Sequence, residues 1–288
     1  MSMRVSGMIK ITAALFVDFL LCSIGLGAVL AAIVTGGILF YAWIGEYIAV
    51  SRDRAIPLEQ LSSGDRQRLG RVKAGLTEDV RRFSGEDISR LKLYVIPSDQ
   101  VNAYAYGFRN VAVTRAVLHS CDETTICAVL GHEVAHILCM DAVFHRIIFA
   151  NVALILGGLI IASFISMSAL WILFLALCLF GVCISVFSVL IFHGIRKMTK
   201  GIFTAVQYTV VFLYQVVMGL ISRRCEFRAD RYSCQLGYRS QLRYFPTRFV
   251  EGQEPERRSL HEILYATHPP VRKRLQRIGE YCPLPARV

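Results

Sequence analysis

Two histidines one helical turn apart, with a glutamate directly after the first, are the residues whose spacing most directly suggests chemistry. They stand in the segment Gly131-His132-Glu133-Val134-Ala135-His136. On a helix, positions i and i+4 project from one face, so His132 and His136 can bind a single metal ion. The pattern indicates Zn2+, one ion per chain, which lowers the pKa of bound water towards about 7. Glu133 can then take a proton from that water as it attacks an amide carbonyl.

A catalytic zinc site needs a third protein ligand and an open fourth position. No His-x-x-Gly-x-x-His segment follows His136, which argues against one large class of zinc proteases. Further along the chain, Glu226 is a candidate ligand, and Asp230 lies one turn later on the same helical face, where it could orient a ligating imidazole. By themselves these two acids would be more typical of a solvated surface. Asp141 and His268 are the next candidates for the third ligand.

The histidine segment must lie on a helix, and its neighbours predict one. Ser120 and Glu123 have the spacing of a capping box, so we expect the helix to begin near Ser120. Before it, residues 91–96 are typical of a strand, and 103–108 with 111–114 are typical of a hairpin. Residues 54–87 predict an amphipathic scaffold helix. Its apolar face is formed by Leu58, Leu61, Leu69, Val72, Leu76 and Val80.

The rest of the chain is far more apolar than a soluble domain. Apolar residues make up 55% of the sequence, and the mean hydropathy is +0.49. Residues 11–50 are too long for a secretory signal and suffice for two membrane spans with a turn near 25–27. Asp18 lies inside the first span and is most simply explained by pairing within the helices. Three more apolar segments follow, at 147–166, 169–192 and 202–222.

The net charge of +11 and the nine cysteines exclude some classes of protein. Basic segments beside apolar spans agree with the positive-inside rule, and no nucleic-acid recognition pattern accompanies them. The cysteines form no Cys-x-x-Cys pair and their number is odd, so neither a disulfide framework nor a thiolate zinc site is expected.

The zinc ligands also constrain the membrane topology. Because His136 and Glu226 must meet at one ion, the chain between them must cross the bilayer an even number of times. We expect 147–166 and 169–192 to form a hairpin joined by a short Ser-rich turn, and 202–222 to lie in the interface. The predicted domains are an N-terminal anchor (1–50), the first catalytic part (51–146), a membrane hairpin (147–200) and the remaining catalytic part (201–288).

Four motifs in order resemble those of the HtpX-type membrane proteases, which are relatives of the CAAX prenyl proteases. These are Asn102-Ala103-Tyr104-Ala105, the His-Glu-x-x-His segment, Ser222 to Asp230, and Thr267-His268-Pro269-Pro270. The resemblance extends to about Ile278. The family usually has two membrane passes between its zinc ligands, whereas this chain has three apolar segments there.

The resemblance implies a role for each matching residue. Glu226 corresponds to the third zinc ligand and Asp230 to the carboxylate behind a ligand. Asn102, Ala103, Tyr104 and Ala105 correspond to the edge strand along which a substrate chain aligns. His268 and Arg274 correspond to positions near the reacting carbonyl. A histidine before Pro-Pro and an arginine on an amphipathic helix could each be purely structural instead.

The predicted fold is a mainly α membrane protein carrying a small mixed α/β gluzincin-like catalytic domain, with a zinc-binding helix and a short β-sheet. The expected activity is zinc-dependent cleavage of membrane or misfolded polypeptides, in protein quality control or a stress response. The expected place is the inner membrane, with the catalytic part facing the cytoplasm. A non-catalytic zinc carrier or sensor and an inactive scaffold are the alternatives. Glu133 argues against both, because a site that only binds metal gains nothing from it.

Overall fold

The computed structural model describes residues 2–181, 186–249 and 269–280. Contacts divide the chain into two compact units, Met1–Ile147 with Gly219–Val288, and Ile148–Met218. His268 lies outside the described residues.

Two apolar helices begin the first unit. Helix α1 spans Met3–Leu26 and α2 spans Ala28–Arg52, and they pack against each other. They break at Gly27, whose φ of 80° is readily adopted only by glycine. The predicted turn near 25–27 is therefore confirmed.

A four-stranded sheet and one helix follow. The strands are β1 (Ile56–Pro57), β2 (Lys92–Ile96), β3 (Ala103–Ala105) and β4 (Asn110–Thr114), in the order β1-β2-β4-β3. The pair β2–β4 is parallel, and β1 and β3 are antiparallel to their neighbours. A short 3-10 helix spans Leu58–Gln60, and α3 spans Ser63–Ser84. The predicted strand and hairpin are confirmed.

Helix α3 buries the apolar face that its sequence pattern predicted. The buried apolar residues of its inner face are Leu69, Val72, Leu76 and Val80. They belong to one core together with residues of the strands and of the helix that carries His132 and His136, which is called the zinc helix below. Leu58 and Leu61 precede the helix and are only partly buried against that core. The predicted helix is thus correct, but it is shorter than 54–87.

The zinc helix begins two residues later than a capping box at Ser120 would place it. Helix α4 covers Arg115–Ser120, and α5 covers Glu123–Leu138. The N-cap of α5 is Asp122, whose side chain accepts a hydrogen bond from Thr125 N. Glu123 binds Arg71 on the neighbouring helix at 2.6 Å instead of reaching back to the cap. The predicted capping box is wrong because Asp122, an equally good capping residue, lies closer to the apolar stretch.

Two long helices follow the zinc helix. Helix α6 spans Asp141–Leu179 and α7 spans Val186–Ser233. The predicted turn between 166 and 169 is wrong, because α6 continues through it; serine does not interrupt a helix that long apolar sequences support on both sides. Helix α7 likewise continues without a break from the end of the predicted segment 169–192 into the predicted segment 202–222. A π-helical turn at Cys234–Tyr238, α8 (Arg239–Phe249) and α9 (Val271–Glu280) complete the described chain.

Among the described residues, four helical segments are long and apolar enough to cross a membrane: Met3–Ile24, Ala28–Arg52, Asp141–Leu179 and Ser188–Phe245. Together with the small sheet, they confirm the predicted mainly α membrane fold with a small mixed α/β part. The interfacial position of 202–222 and the four predicted domain limits stay predictions.

One buried carboxylate connects a membrane helix to the sheet. Glu46 of α2 is only 2% exposed. It accepts hydrogen bonds from the backbone N–H groups of Phe108, Arg109 and Asn110 at 3.1, 3.1 and 2.8 Å. Arg146 of α6 donates hydrogen bonds to the carbonyl oxygen of Ala42 in α2 and to that of Tyr106 at the same turn. The β3–β4 turn is therefore held by side chains of two long helices.

We expect Glu46→Ala to loosen this turn locally. Hydrogen bonds to a charged group contribute about 1.5–3 kcal/mol, so amide exchange at residues 108–110 should accelerate by roughly 10-fold or more. Hydrogen–deuterium exchange measured on the detergent-solubilised protein would test this. Glu59→Gln, in the 3-10 helix, is the control. Unchanged exchange at the turn in Glu46→Ala would contradict the proposed attachment.

Candidate metal centre

The zinc helix is held in the core by a close helix contact. Twelve of its sixteen residues are buried, so the polar ones among them need specific partners. At Gly131, an added Cβ would lie only 3.3 Å from the side chains of Ser233 and Leu236. Ser233 in turn donates a hydrogen bond to the carbonyl oxygen of Ala128 at 2.7 Å. A glycine directly before His132 therefore lets the end of α7 approach α5.

This approach brings three metal-binding side chains together. Ligand atoms of His132, His136 and Glu226 all lie within 4.8 Å of one another. The two Nε2 atoms are 3.2 Å apart. Glu226 places one carboxylate oxygen 3.5 Å from Nε2 of His132 and the other 3.6 Å from Nε2 of His136.

These distances fit zinc. Zinc–nitrogen and zinc–oxygen bonds of about 2.1 Å in a tetrahedron separate the ligand atoms by about 3.4 Å. The two Nε2 atoms face each other. If both imidazoles are neutral, at most one of them can donate a hydrogen bond to the other, whereas both can bind a shared cation through their lone pairs. The donor set of two nitrogens and one carboxylate is typical of catalytic zinc.

The outer nitrogen of His132 faces a buried carboxylate. Asp230 Oδ1 lies 2.9 Å from His132 Nδ1, although that nitrogen is not aligned as a hydrogen-bond donor in this arrangement. Burial by itself lowers the pKa of His132, but the carboxylates of Asp230 and Glu226 outweigh it and raise the pKa to about 10. The strongly negative surroundings therefore favour a cation at this position.

Asp230 is fully buried and is held by Arg274 of α9. Arg274 donates hydrogen bonds from Nε and Nη2 to the two carboxylate oxygens of Asp230, at 2.9 and 2.6 Å. Its Nη1 lies 3.5 Å from Glu226 Oε2. Burial lowers the pKa of Arg274, but the charges of Asp230, Glu226 and Glu133 raise it by more. The guanidinium thus balances the acids of this site.

The second histidine has an equivalent partner from another helix. Asp141 Oδ2 lies 2.9 Å from His136 Nδ1. Between α5 and α6, Met140 has a φ of 53°, which ends the first helix before Asp141. Asp141 is itself bound by Lys10 of α1 at 2.8 Å and by Arg228 of α7 at 2.5 Å. Each candidate ligand histidine therefore has a buried carboxylate behind it.

The predicted edge strand lies beside this helix. Strand β3 is the outer strand of the sheet and contacts α5. Asn102 and Tyr106 bond to β4 through their backbone O and N, respectively, so the backbone groups of Ala103 and Ala105 face the other edge of β3. This edge pairs with no further strand in the described part of the chain and is called the open edge below. The Asn102 side chain accepts from Ala103 N at 2.9 Å and donates to the Tyr104 hydroxyl at 3.0 Å.

The structure brings together most of the residues that the sequence singled out. His132, His136, Glu226, Asp230 and Arg274 form one cluster, and Glu133 lies half-buried on the same helix, where its charge acts on Arg274. His268 falls outside the described residues. The sequence suggested Asp141 only as an alternative ligand, whereas it contacts the outer nitrogen of His136. Its position five residues after His136 was the only available signal.

Lys10 and Arg228 are site neighbours that sequence reasoning did not find. Lys10 resembled an ordinary basic residue before a membrane span, and Arg228 resembled one of several arginines near Glu226. Only packing of α1 and α7 around Asp141 distinguishes them.

The chain is similar to several known proteins. Residues 67–281 match the description "Peptidase family M48". The chain is 25% identical to Protease HtpX of Idiomarina loihiensis over 282 residues, covering 90% of this chain and 87% of that protein. It is 32% identical to Protease HtpX of Xanthomonas euvesicatoria and 30% identical to a Protease HtpX homolog of Aquifex aeolicus. Those matches cover 58% and 51% of this chain.

The chain spans about half the length of these last two relatives, 53% and 45%. Among solved structures, the crystal structure of S. mikatae Ste24p is similar over 92% of this chain and 66% of that chain. Its sequence identity is 18% and its TM-score 0.42. Because the family match covers residues 67–281, well over half of the sequence, this chain belongs to Peptidase family M48.

Proposed function

We propose that this chain is a zinc-dependent endopeptidase that acts at the membrane. The observation that carries the proposal is the triangle of the His132, His136 and Glu226 side chains. The two Nε2 atoms are 3.2 Å apart, and one carboxylate oxygen of Glu226 lies 3.5 Å from Nε2 of His132 while the other lies 3.6 Å from Nε2 of His136. Those separations suit one tetrahedral ion with an open fourth position. Glu133, adjacent in sequence to a ligand but not part of the triangle, supplies the group that a binding site alone would not need.

The roles of the protein groups follow from their positions. A bound zinc ion would acidify a water molecule and polarise the peptide carbonyl. Glu133 accepts the proton of the attacking water and delivers it to the departing amine. Asp230 and Asp141 hold the imidazoles with their Nε2 atoms towards the metal position.

Arg274 has its donors directed at carboxylates of the site. With Nε and Nη2 on Asp230 and Nη1 towards Glu226, we assign it a positioning role. The oxyanion roles predicted for Arg274 and His268 stay predictions.

The open edge of β3 supports an extended polypeptide as substrate. The N–H and C=O groups of Ala105 and the C=O group of Ala103 can pair with a peptide regardless of its side chains, which suits a protease with many substrates. The N–H of Ala103 already donates to the Asn102 side chain. Membrane or misfolded proteins meet this requirement because they expose extended segments. Placement in the inner membrane with the catalytic part in the cytoplasm, and a role in protein quality control, belong to this proposal.

A zinc carrier or sensor is the alternative that the same ligands allow. It would bind metal through the two histidines and Glu226 without turnover. The half-buried Glu133 and the open strand edge beside the histidines favour the protease, because neither contributes to holding an ion.

Glu133→Gln tests the proposed chemistry. This variant keeps every ligand but removes the base, so it should retain zinc and lose roughly 100- to 10,000-fold in peptide cleavage. Purified protein would be assayed with an unfolded polypeptide, and zinc would be counted by mass spectrometry. The control is Glu123→Gln, a partly exposed acid on the same helix that pairs with Arg71 and not with the histidines, and this variant should cleave normally. Wild-type cleavage should stop on chelation. Normal cleavage by Glu133→Gln would refute the mechanism.

Zinc titration distinguishes the roles of Glu226 and Asp230 in α7. Glu226→Ala removes a ligand and should abolish stoichiometric zinc binding. Asp230→Asn should leave a site with about 10- to 100-fold weaker affinity or activity. Glu78→Gln on the exposed face of α3 serves as the control. If Glu226→Ala bound zinc as tightly as the wild type, the third ligand would have to be another residue.

Arg274→Lys distinguishes positioning from oxyanion stabilisation. Lysine keeps the charge but cannot bind Asp230 through two parallel donors. A positioning role predicts roughly 10-fold weaker zinc affinity together with lower kcat. An oxyanion role predicts lower kcat at unchanged zinc affinity. Arg272→Lys, an exposed neighbour on α9, controls for substitution in this helix.

A further inference from the structure

The second unit carries positive charge without any acidic residue. Residues 148–218 contain Arg196, Lys197 and Lys200, and no aspartate or glutamate. All three cations lie on α7 between two strongly apolar stretches. An anion stabilises cations in such surroundings, and no residue of this unit can supply one.

Two of these cations line a groove between α6 and α7. The groove has a volume of about 410 Å³, within the usual range of about 300–1,000 Å³ for small-molecule sites. Arg196 and Lys200, one helical turn apart, lie on its wall together with Gln207, whereas Lys197 does not. The guanidinium of Arg196 lies 5.3 Å from the centre of the Trp171 ring.

The opposite wall of the groove is mostly apolar, with Ser163 as its one polar residue. It is formed by side chains of α6: Ile160, Phe164, Met167 and Trp171. Trp171 also contacts Phe192 of α7, with ring centres 5.0 Å apart, so a residue outside the groove supports this ring. An inorganic anion would satisfy the cations but leave this apolar wall unused.

We propose that the groove binds an anionic glycerophospholipid. Its phosphate lies between Arg196 and Lys200, and an acyl chain lies along Ile160, Phe164 and Met167. Basic pockets between membrane helices have the charge that such headgroups need, and arginine pairs with phosphate through parallel donors. The lipid would neutralise the unit and fill the space between its two helices. This site is separate from the zinc centre and does not rest on the proposed protease function.

Tryptophan quenching can test the site directly. The chain has two tryptophans, so Trp43→Phe leaves Trp171, in the groove, as the only one. This variant would be reconstituted in two series of phosphatidylcholine vesicles, with increasing mole fractions of phosphatidylglycerol with brominated acyl chains in one and of phosphatidylcholine with brominated acyl chains in the other. Each cation near an anionic headgroup favours it about fivefold. Brominated phosphatidylglycerol should therefore quench at a roughly 25-fold lower mole fraction.

Two variants in the same background decide the outcome. Replacing Arg196 and Lys200 together by glutamine should make the two brominated lipids equally effective. Lys197→Gln, which alters a neighbouring cation outside the groove, should keep the preference. Equal quenching by both lipids in the Trp43→Phe protein would overturn the proposal. It would also be overturned if Lys197→Gln removed as much of the preference as the double variant, because nonspecific surface charge would then explain it.

Discussion

The need to balance the buried charges around His132 and His136 organises the first unit, Met1–Ile147 with Gly219–Val288, which is called the catalytic unit below. Glu226, Asp230 and Asp141 are each less than a tenth exposed, and buried carboxylates are stable only beside cations and hydrogen-bond donors. Arg274, Arg228 and Lys10 come from three different helices to meet that need. The two imidazoles and the metal they would share complete the balance.

This charge balance also explains how distant parts of the chain are joined. Lys10 belongs to the first apolar helix, yet it binds the carboxylate behind His136. Glu46 and Arg146 bind the β3–β4 turn, which adjoins the open strand edge. The long apolar helices of this protein therefore position the candidate metal centre and the strand beside it.

The two units handle charge in opposite ways. In the catalytic unit, the buried ionic groups described above find partners within the chain. The unit of residues 148–218 has cations and no acids, so its neutrality depends on the surroundings. A lipid ligand in the groove of α6 and α7 would provide it, and this is consistent with the apolar character of the facing wall.

The sequence by itself determined the parts of this protein that depend on local spacing. The zinc helix, the amphipathic face of α3, the β3–β4 hairpin and the break near Gly27 follow from patterns a few residues long. The pairing of Glu226 with Asp230 on one helical face is of the same kind. Such features are decided by backbone geometry and by the periodicity of buried side chains.

Only the tertiary structure decided which side chains support the site. Asp141, Lys10 and Arg228 meet across separations of up to 218 residues, and no local pattern marks them. The start of α5 at Asp122 and the unbroken course of α6 through Ser166 and Ser168 were also not evident from the sequence. Competing caps and uniformly apolar stretches offer several local solutions of similar free energy, and packing against the rest of the molecule selects among them.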